Sequence, residues 1–477
     1  MQYFLKTKIL PLFCFIIFQT CNFSTRNDAH QELLASAALK EDFDILRKTL
    51  EEAHPGLYWY SDKLAMNNFL DSTKSLIDHD MASIAFFKML LPVIANIRCS
   101  HTNLRLSKST NTVANQFTYL LPFDFFCQNG KLYIRKSLNG KKYEGREILS
   151  INNIETKEIL KTLLNNIPAD GYNETFKYHL LSNGAFREGF AIFFGQPNTF
   201  TLQSIDSSNQ QLYSFTVQAI PPQKEISLPT APTLPFLLNF HEKTAILSVN
   251  TFQLNKEQFS NSIESIFLTI KEKGAKHLII DLRKNGGGIN DNVSKLYSYI
   301  ATAPFLHLKR AEMNATSFTY AKFISNSKSI GNFSNGSERN GKYVVNDRYA
   351  GTTTKSPTHK NLFKGDVVLL TSGNTISAAS EFAAIAHYLK RAKIVGEETG
   401  GCYYGATGGN YIQLKLPNSG FEVRIPTIRI FTAVDEDFIH QPKGRGTFPD
   451  YQVLPTINDV ITGKDVQLNT ALRILGN

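Results

Sequence analysis

Metal-ligand spacing, a disulfide framework and a membrane-spanning run are all missing from this sequence. Its five cysteines are Cys14, Cys21, Cys99, Cys127 and Cys402. No two of them stand in Cys-x-x-Cys spacing, so a zinc ribbon or a dithiol redox motif is excluded. Setting aside the two near the N-terminus leaves three, odd in number and widely spaced, which is no disulfide framework. The glycine run Gly286-Gly287-Gly288 is not followed by Gly-Lys-Ser/Thr, so it is no phosphate-binding P-loop. Beyond the first twenty residues no apolar stretch reaches the ~20 residues that span a bilayer. The formal charge is +10, from 51 Lys+Arg against 41 Asp+Glu. The only dense basic cluster, Lys390-Arg391-Ala392-Lys393, lies between apolar flanks. The excess is therefore not gathered into the patch or stripe that nucleic acid needs. No nucleic-acid partner, metal or organic cofactor is expected.

What is present belongs to a globular protein. A chain of 477 residues, 42% hydrophobic and 19% charged, holds more than one ordinary domain. Lys6 and Lys8 precede an apolar run from Ile9 to Phe18, which is the length of a signal-peptide core. Residues 1–20 are expected to be a signal peptide. Cys21 directly behind them resembles the lipid-attached cysteine of a bacterial lipoprotein. The expectation is an exported protein of the periplasm or cell envelope, touching membrane only through a lipid at Cys21.

Residues 28–110 read as a small helical N-terminal domain. Leu39, Phe43, Leu46 and Leu50 recur there at helical-turn spacing, with further helices over Phe69–Ile77 and Ile84–Ile97. Residues 117–219 change to short strand-like runs: Gly145–Asn153 as turn, strand and turn, Ile154–Asn165 as a helix, then Ile192–Thr201 and Tyr213–Val217 as strands. Five prolines between Pro221 and Pro235 mark 220–235 as a linker. From 236 to 477 strand and helix alternate. Ala245–Val249, His277–Leu282, Asp366–Thr371 and Lys393–Val395 read as strands, with helices over Phe259–Ile270 and Ser377–Lys390. That alternation implies an α/β core with a largely parallel sheet. Between Arg310 and Lys364 lies a Ser/Asn/Lys/Gly-rich stretch of weak periodicity, expected to be a loop or lid.

Three segments carry chemistry. In Thr371-Ser-Gly-Asn-Thr-Ile-Ser377-Ala378-Ala-Ser-Glu381 a strand enters a short turn and Ser377 opens a helix. The turn exposes the hydroxyl, the helix N-terminus adds positive potential, and the Ala378 amide faces a developing oxyanion. The same pattern also suits an ordinary N-cap serine. In Asp281-Leu-Arg-Lys-Asn-Gly286-Gly287-Gly288, glycines after a buried strand let backbone amides turn toward a ligand. In Cys99-Ser100-His101-Thr102, the histidine is a base only if the fold brings it to Ser377.

Together Leu278–Gly288, Thr371–Glu381, Val395-Gly-Glu-Glu-Thr-Gly-Gly401 and the tail from Gly446-Thr-Phe-Pro-Asp450 to Gly463-Lys-Asp465 resemble the tail-specific (C-terminal-processing) protease family of serine peptidases. The resemblance implies a crotonase-like (ClpP/crotonase) catalytic core over 236–477, a PDZ-like domain over 117–219 and a peptide or protein substrate. One branch of that family uses a Ser–Lys dyad with lysine twenty-five residues after the serine, and here that position is Cys402. The tricorn-like branch uses a histidine preceded by serine, which Ser100-His101 matches, and a glutamate. By this resemblance Ser377 is the nucleophile, His101 the base, Ser100 its neighbour, and the amides of Ala378 and Gly286 or Gly287 the oxyanion donors. Asp435, Glu436 and Asp437 are the acids nearest to where the family's acid is sought. A non-catalytic peptide- or ligand-binding protein on the same fold is the alternative.

Overall fold

The computed structural model describes residues 33–106, 117–140, 142–206, 210–222, 234–326, 337–339, 341–345, 352 and 354–476. The signal-peptide segment and Cys21, together with most of the Pro-rich linker, lie outside these residues.

The C-terminal half, from residue 236, is built on a six-stranded sheet. Its order is Phe236–His241, Thr244–Val249, His277–Asp281, Asp366–Thr371, Lys393–Gly396 and Tyr451–Gln452. The first pair is antiparallel and every other pair is parallel. Runs such as Leu278-Ile279-Ile280 and Val367-Val368-Leu369-Leu370 are buried along their whole length, as strands covered on both faces must be. Successive side chains point to opposite faces. Leu278, Ile280 and Leu369 thus join the helices Lys256–Glu272, Asn290–Ser298 and Ala378–Tyr388 in one core. Ile279, Val368 and Leu370 meet Ala471 of the last helix, Val466–Ile474, in the other. The α/β expectation is met. Arg283 ties that last helix to the sheet, donating to both carboxylate oxygens of Asp281 and of Asp465. Three residues of the quoted motifs, Asp281, Arg283 and Asp465, therefore hold the fold together. Asp450 is a fourth, accepting the amide of Ile394 at 2.8 Å.

A second, seven-stranded sheet is not legible in the sequence. It runs Ile324–Ser325, Gly405–Lys415, Glu422–Thr432, Leu308–Met313, Lys342–Val344, Ser337–Arg339, with Asn103–Arg105 added beside Glu422–Thr432. Part of the stretch expected to be a loop, Arg310–Lys364, supplies strands to it. Their pairing partners lie as far away as Phe431 is from Arg310, and local periodicity does not report such pairing. The N-terminal helices Ser36–Ala53, Lys63–Ser75 and Ser83–Asn96 pack on this sheet. Phe43, Leu46, Phe86 and Leu90 share a single core with Ile412, Leu414, Val423 and Ile425. These helices have no separate core of their own. Asp42 pins them to the tip of the long hairpin, accepting from the amides of Asn418 and Ser419.

The middle region is an antiparallel sheet ordered Phe123–Gln128, Lys131–Ser137, Arg146–Ile151, Thr199–Asp206, Leu212–Gln218, with Ile154–Glu155 beside Arg146–Ile151. Helices Thr156–Asn165 and Phe186–Phe194 close its core. Ile192, expected to begin a strand, is instead helical. The run Phe186–Phe194 is apolar at helical spacing, burying Phe186 and Phe190, and Gly195 at φ +95° stops it.

Candidate active site

Ser377 sits where the strand Asp366–Thr371 turns into the helix Ala378–Tyr388. Its φ of 54° and ψ of −132° form a conformation that an L residue holds only under constraint. The constraints are specific. Ser372 Oγ donates to the Arg283 carbonyl at 2.7 Å, and Thr375 Oγ1 to that of Leu282 at 3.0 Å. The Gly401 amide reaches the Thr375 carbonyl at 3.2 Å. Gly401 has to be glycine, because a Cβ there would lie 2.2 Å from Ser380 Oγ and 3.0 Å from the Ser377 nitrogen.

The glycine loop closes over the serine from the neighbouring strand. Buried Asn285 sets its path: the side-chain amide donates to the Val249 carbonyl at 2.9 Å, and Oδ1 accepts the Gly287 amide at 2.9 Å. The Gly287 amide is thus already committed, so of the two candidate glycines Gly286 is the one left to donate. Among the described residues the amides of Gly286 and Ala378 donate to no protein group. Gly287 has φ +98°, and a Cβ on it would stand 2.7 Å from Ser377 Cβ and 2.9 Å from the Ile376 carbonyl. Gly287→Ala is expected to cost about 1–3 kcal/mol of stability and at least ~100-fold in peptide cleavage. Chemical denaturation and steady-state kinetics on the one variant read both numbers.

His101 and Ser377 line one cleft of about 860 Å³, together with Ser100, Gly286, Gly287, Glu381, Tyr411 and Arg424. No hydrogen bond joins His101 to Ser377 among the described residues. Ser100 Oγ lies 3.3 Å from His101 Nδ1. Burial lowers the His101 pKa below its ordinary 6.5; the Asp170 carboxylate opposes that shift and Arg424 adds to it. His54, behind it, is lowered to about 3 by complete burial and so is neutral. It contacts Thr102 Oγ1 at 3.0 Å.

Asp170 is a buried carboxylate beside His101 that the sequence did not reveal. It lies on the turn between the helices Thr156–Asn165 and Thr175–Leu180 of the middle region, and is 3% exposed. Its Oδ1 accepts the Ser100 amide at 2.7 Å, while Oδ2 has no hydrogen-bond partner. A carboxylate oxygen of Asp170, a ring nitrogen of His101 and Cys99 Sγ all fall within 4.8 Å of one another. The turn is docked against both neighbouring regions: the Gly171 amide bonds the Arg98 carbonyl of the N-terminal segment, and Asn173 Nδ2 that of Thr399 in the C-terminal half. The trio contains metal-ligating types. However, Cys99 Sγ already contacts Thr407 Oγ1 at 2.7 Å, and its thiol is pushed up to about 11 by burial, which disfavours the thiolate a metal needs.

The other acids lie elsewhere. Asp435 accepts the Tyr388 hydroxyl, and Asp437 pairs with exposed His440. Glu436 lines a different cavity with Tyr60, Cys402 and Arg429. After Thr432 the chain leaves the cleft, which is why their proximity in sequence misleads. Cys402, at the dyad position, is buried in that other cavity and accepts the Tyr60 hydroxyl at 3.3 Å. Lys256 is the lysine that does line the cleft, but it is exposed and ion-paired with Asp291.

Residues 243–453 match the model of peptidase family S41. Among solved structures, mature CPAF superposes with a TM-score of 0.61 at 14% identity, covering 89% of this chain and 94% of that one. Its complex with lactacystin gives 0.61 at 13% identity, covering 92% and 97%. At such identities the likeness is one of fold. None of the curated proteins compared with the chain matches it.

Proposed function

Because this chain belongs to peptidase family S41 through residues 243–453 and is a serine-type peptidase, we propose that it cleaves peptide bonds through an acyl-enzyme on Ser377, with His101 as general base. The observation that carries this reading is the constrained, positive-φ Ser377 at a helix N-terminus, facing the same cleft as His101. His101 takes the hydroxyl proton as Oγ attacks the carbonyl. The Gly286 and Ala378 amides receive the oxyanion, each donor worth about 3 kcal/mol by analogy with single-donor deletions. His101 then returns the proton to the leaving amine, and water activated by the same ring releases the acid product. Asp170 replaces the expected acid. It fixes Ser100 through the backbone and, by its charge, favours the imidazolium that forms during attack. Fluorophosphonate labelling followed by peptide mapping tests the reading: the adduct is expected on Ser377, and an adduct elsewhere or none overturns it.

We extend the same proposal to the rest of the chain. The catalytic half is read as crotonase-like and the middle domain as PDZ-like, offering the sheet edge at Leu212–Gln218 to an added peptide strand. Export and lipid attachment at Cys21 rest on the short apolar run behind Lys6 and Lys8. No described helix is long and apolar enough to cross a membrane. Native protein is expected to begin at a diacylglyceryl-modified Cys21 and to partition with membranes until detergent is added, and Cys21→Ser to lose that partitioning. Intact-mass measurement checks it; an unmodified Cys21 or another N-terminus would dismiss the lipid.

A further inference from the structure

The charged side chains of the cleft are nearly all accounted for by one another. Lys256 pairs with Asp291. Glu381, 2% exposed, accepts Asn290 Nδ2 at 2.5 Å and faces His307 Nε2 at 3.2 Å. Arg424 is different. Among the described residues its guanidinium has no carboxylate partner. Its Cζ instead rests 3.5 Å from the ring centre of Tyr411. Tyr411 in turn stacks on His101, ring centres 6.1 Å apart. The arrangement is built in: the Arg424 backbone is registered with Asn103, two residues beyond the base, and a bulge between Gly408 and Tyr411 turns the tyrosine toward the cleft. The other titratable or charged groups lining the cleft are His101, Tyr411 beneath the guanidinium, the Lys256–Asp291 pair and Glu381, which is already held.

A guanidinium flattened on an aromatic face keeps its outer N–H fork free for a planar anion. We propose that Arg424 is a carboxylate-binding subsite, so that this peptidase selects peptides carrying a carboxylate within about three residues of the scissile bond. The reach follows from the ladder: Arg424 lies under about 10 Å from His101, and extended chain advances ~3.3 Å per residue. The carboxylate comes either from an Asp or Glu side chain or from the substrate's own C-terminus. In the second case, cleavage releases fragments of one to three residues. This inference rests on the Ser377/His101 reading only for where the scissile bond lies.

Two measurements separate the inference from that reading. Calorimetry on Ser377→Ala protein measures binding without chemistry, using one peptide sequence made with Glu or Gln near its end and with a free or amidated C-terminus. The carboxylate form is expected to bind at least 10-fold tighter, and Ser377→Ala/Arg424→Gln to lose that difference. Arg424→Lys, which keeps the charge without the fork, is expected to keep part of it. In the protein with Ser377 intact, the ratio of kcat/KM for acidic over neutral peptides is expected to exceed 10 and to fall to about one in Arg424→Gln. Loss on Glu→Gln alone assigns a side-chain carboxylate, and loss on amidation alone assigns the chain end. Equal binding of all four peptides, or a preference that survives Arg424→Gln, overturns the subsite whether or not Ser377 proves to be the nucleophile.

Discussion

Ser377→Ala is expected to abolish fluorophosphonate labelling and to lower peptide cleavage by about four to six orders of magnitude, with the fold intact. The size follows from what remains: oxyanion donors and substrate binding survive, but no covalent route does. The backbone adds a second, opposite signature. At φ 54° and ψ −132° alanine is no better off than serine, so Ser377→Ala should unfold at nearly the parent's denaturant midpoint. Ser377→Gly relieves the strained conformation and is expected to gain about 1 kcal/mol while staying inactive. A glycine variant that is both inactive and more stable than the parent would place the strain at the nucleophile. Cleavage by Ser377→Ala at the parent's rate would remove Ser377 from the reaction.

His101→Ala is expected to lower cleavage by about 10³-fold or more, and the pH dependence of the parent reports why. In its proposed role as base, His101 works only when neutral. Burial lowers its pKa below 6.5, so it stays neutral to lower pH than an exposed histidine would, and the acid limb of kcat/KM should fall below pH 6.5. Asp170→Asn removes the charge that opposes this shift. It should move the limb to still lower pH and also reduce kcat by about 10- to 100-fold, since the imidazolium loses its counter-charge. Arg424→Gln removes a like charge and should move the limb the other way. A profile from pH 4 to 8 on the three proteins distinguishes Asp170 as a positioning residue from a merely structural one. An unmoved limb in Asp170→Asn would show that its carboxylate does not act on His101.

Much of the local design was written in the sequence. The buried strand runs, the Ser377 turn and the glycine loop combine short-range chemistry: apolar residues without alternation, small residues at a turn, glycines where a Cβ would strike Ser377 or Ser380. The missing dyad lysine was also readable, since Cys402 occupies its position. Distance along the chain hid the rest. His101 comes from a segment of the first hundred or so residues and reaches the cleft only because Asn103–Arg105 joins the strand Glu422–Thr432. That strand also brings Arg424. Asp170 arrives from the middle domain, on a turn held by Arg98 and Thr399, and no spacing links it to His101 or Ser377. The acids that looked better placed, Asp435 to Asp437, are exposed beyond the end of the hairpin. Residue types and turns follow from local sterics and burial. Which histidine, carboxylate and cation share a cleft with Ser377 depends on pairings separated by scores to hundreds of residues, and only the packed tertiary structure decides those.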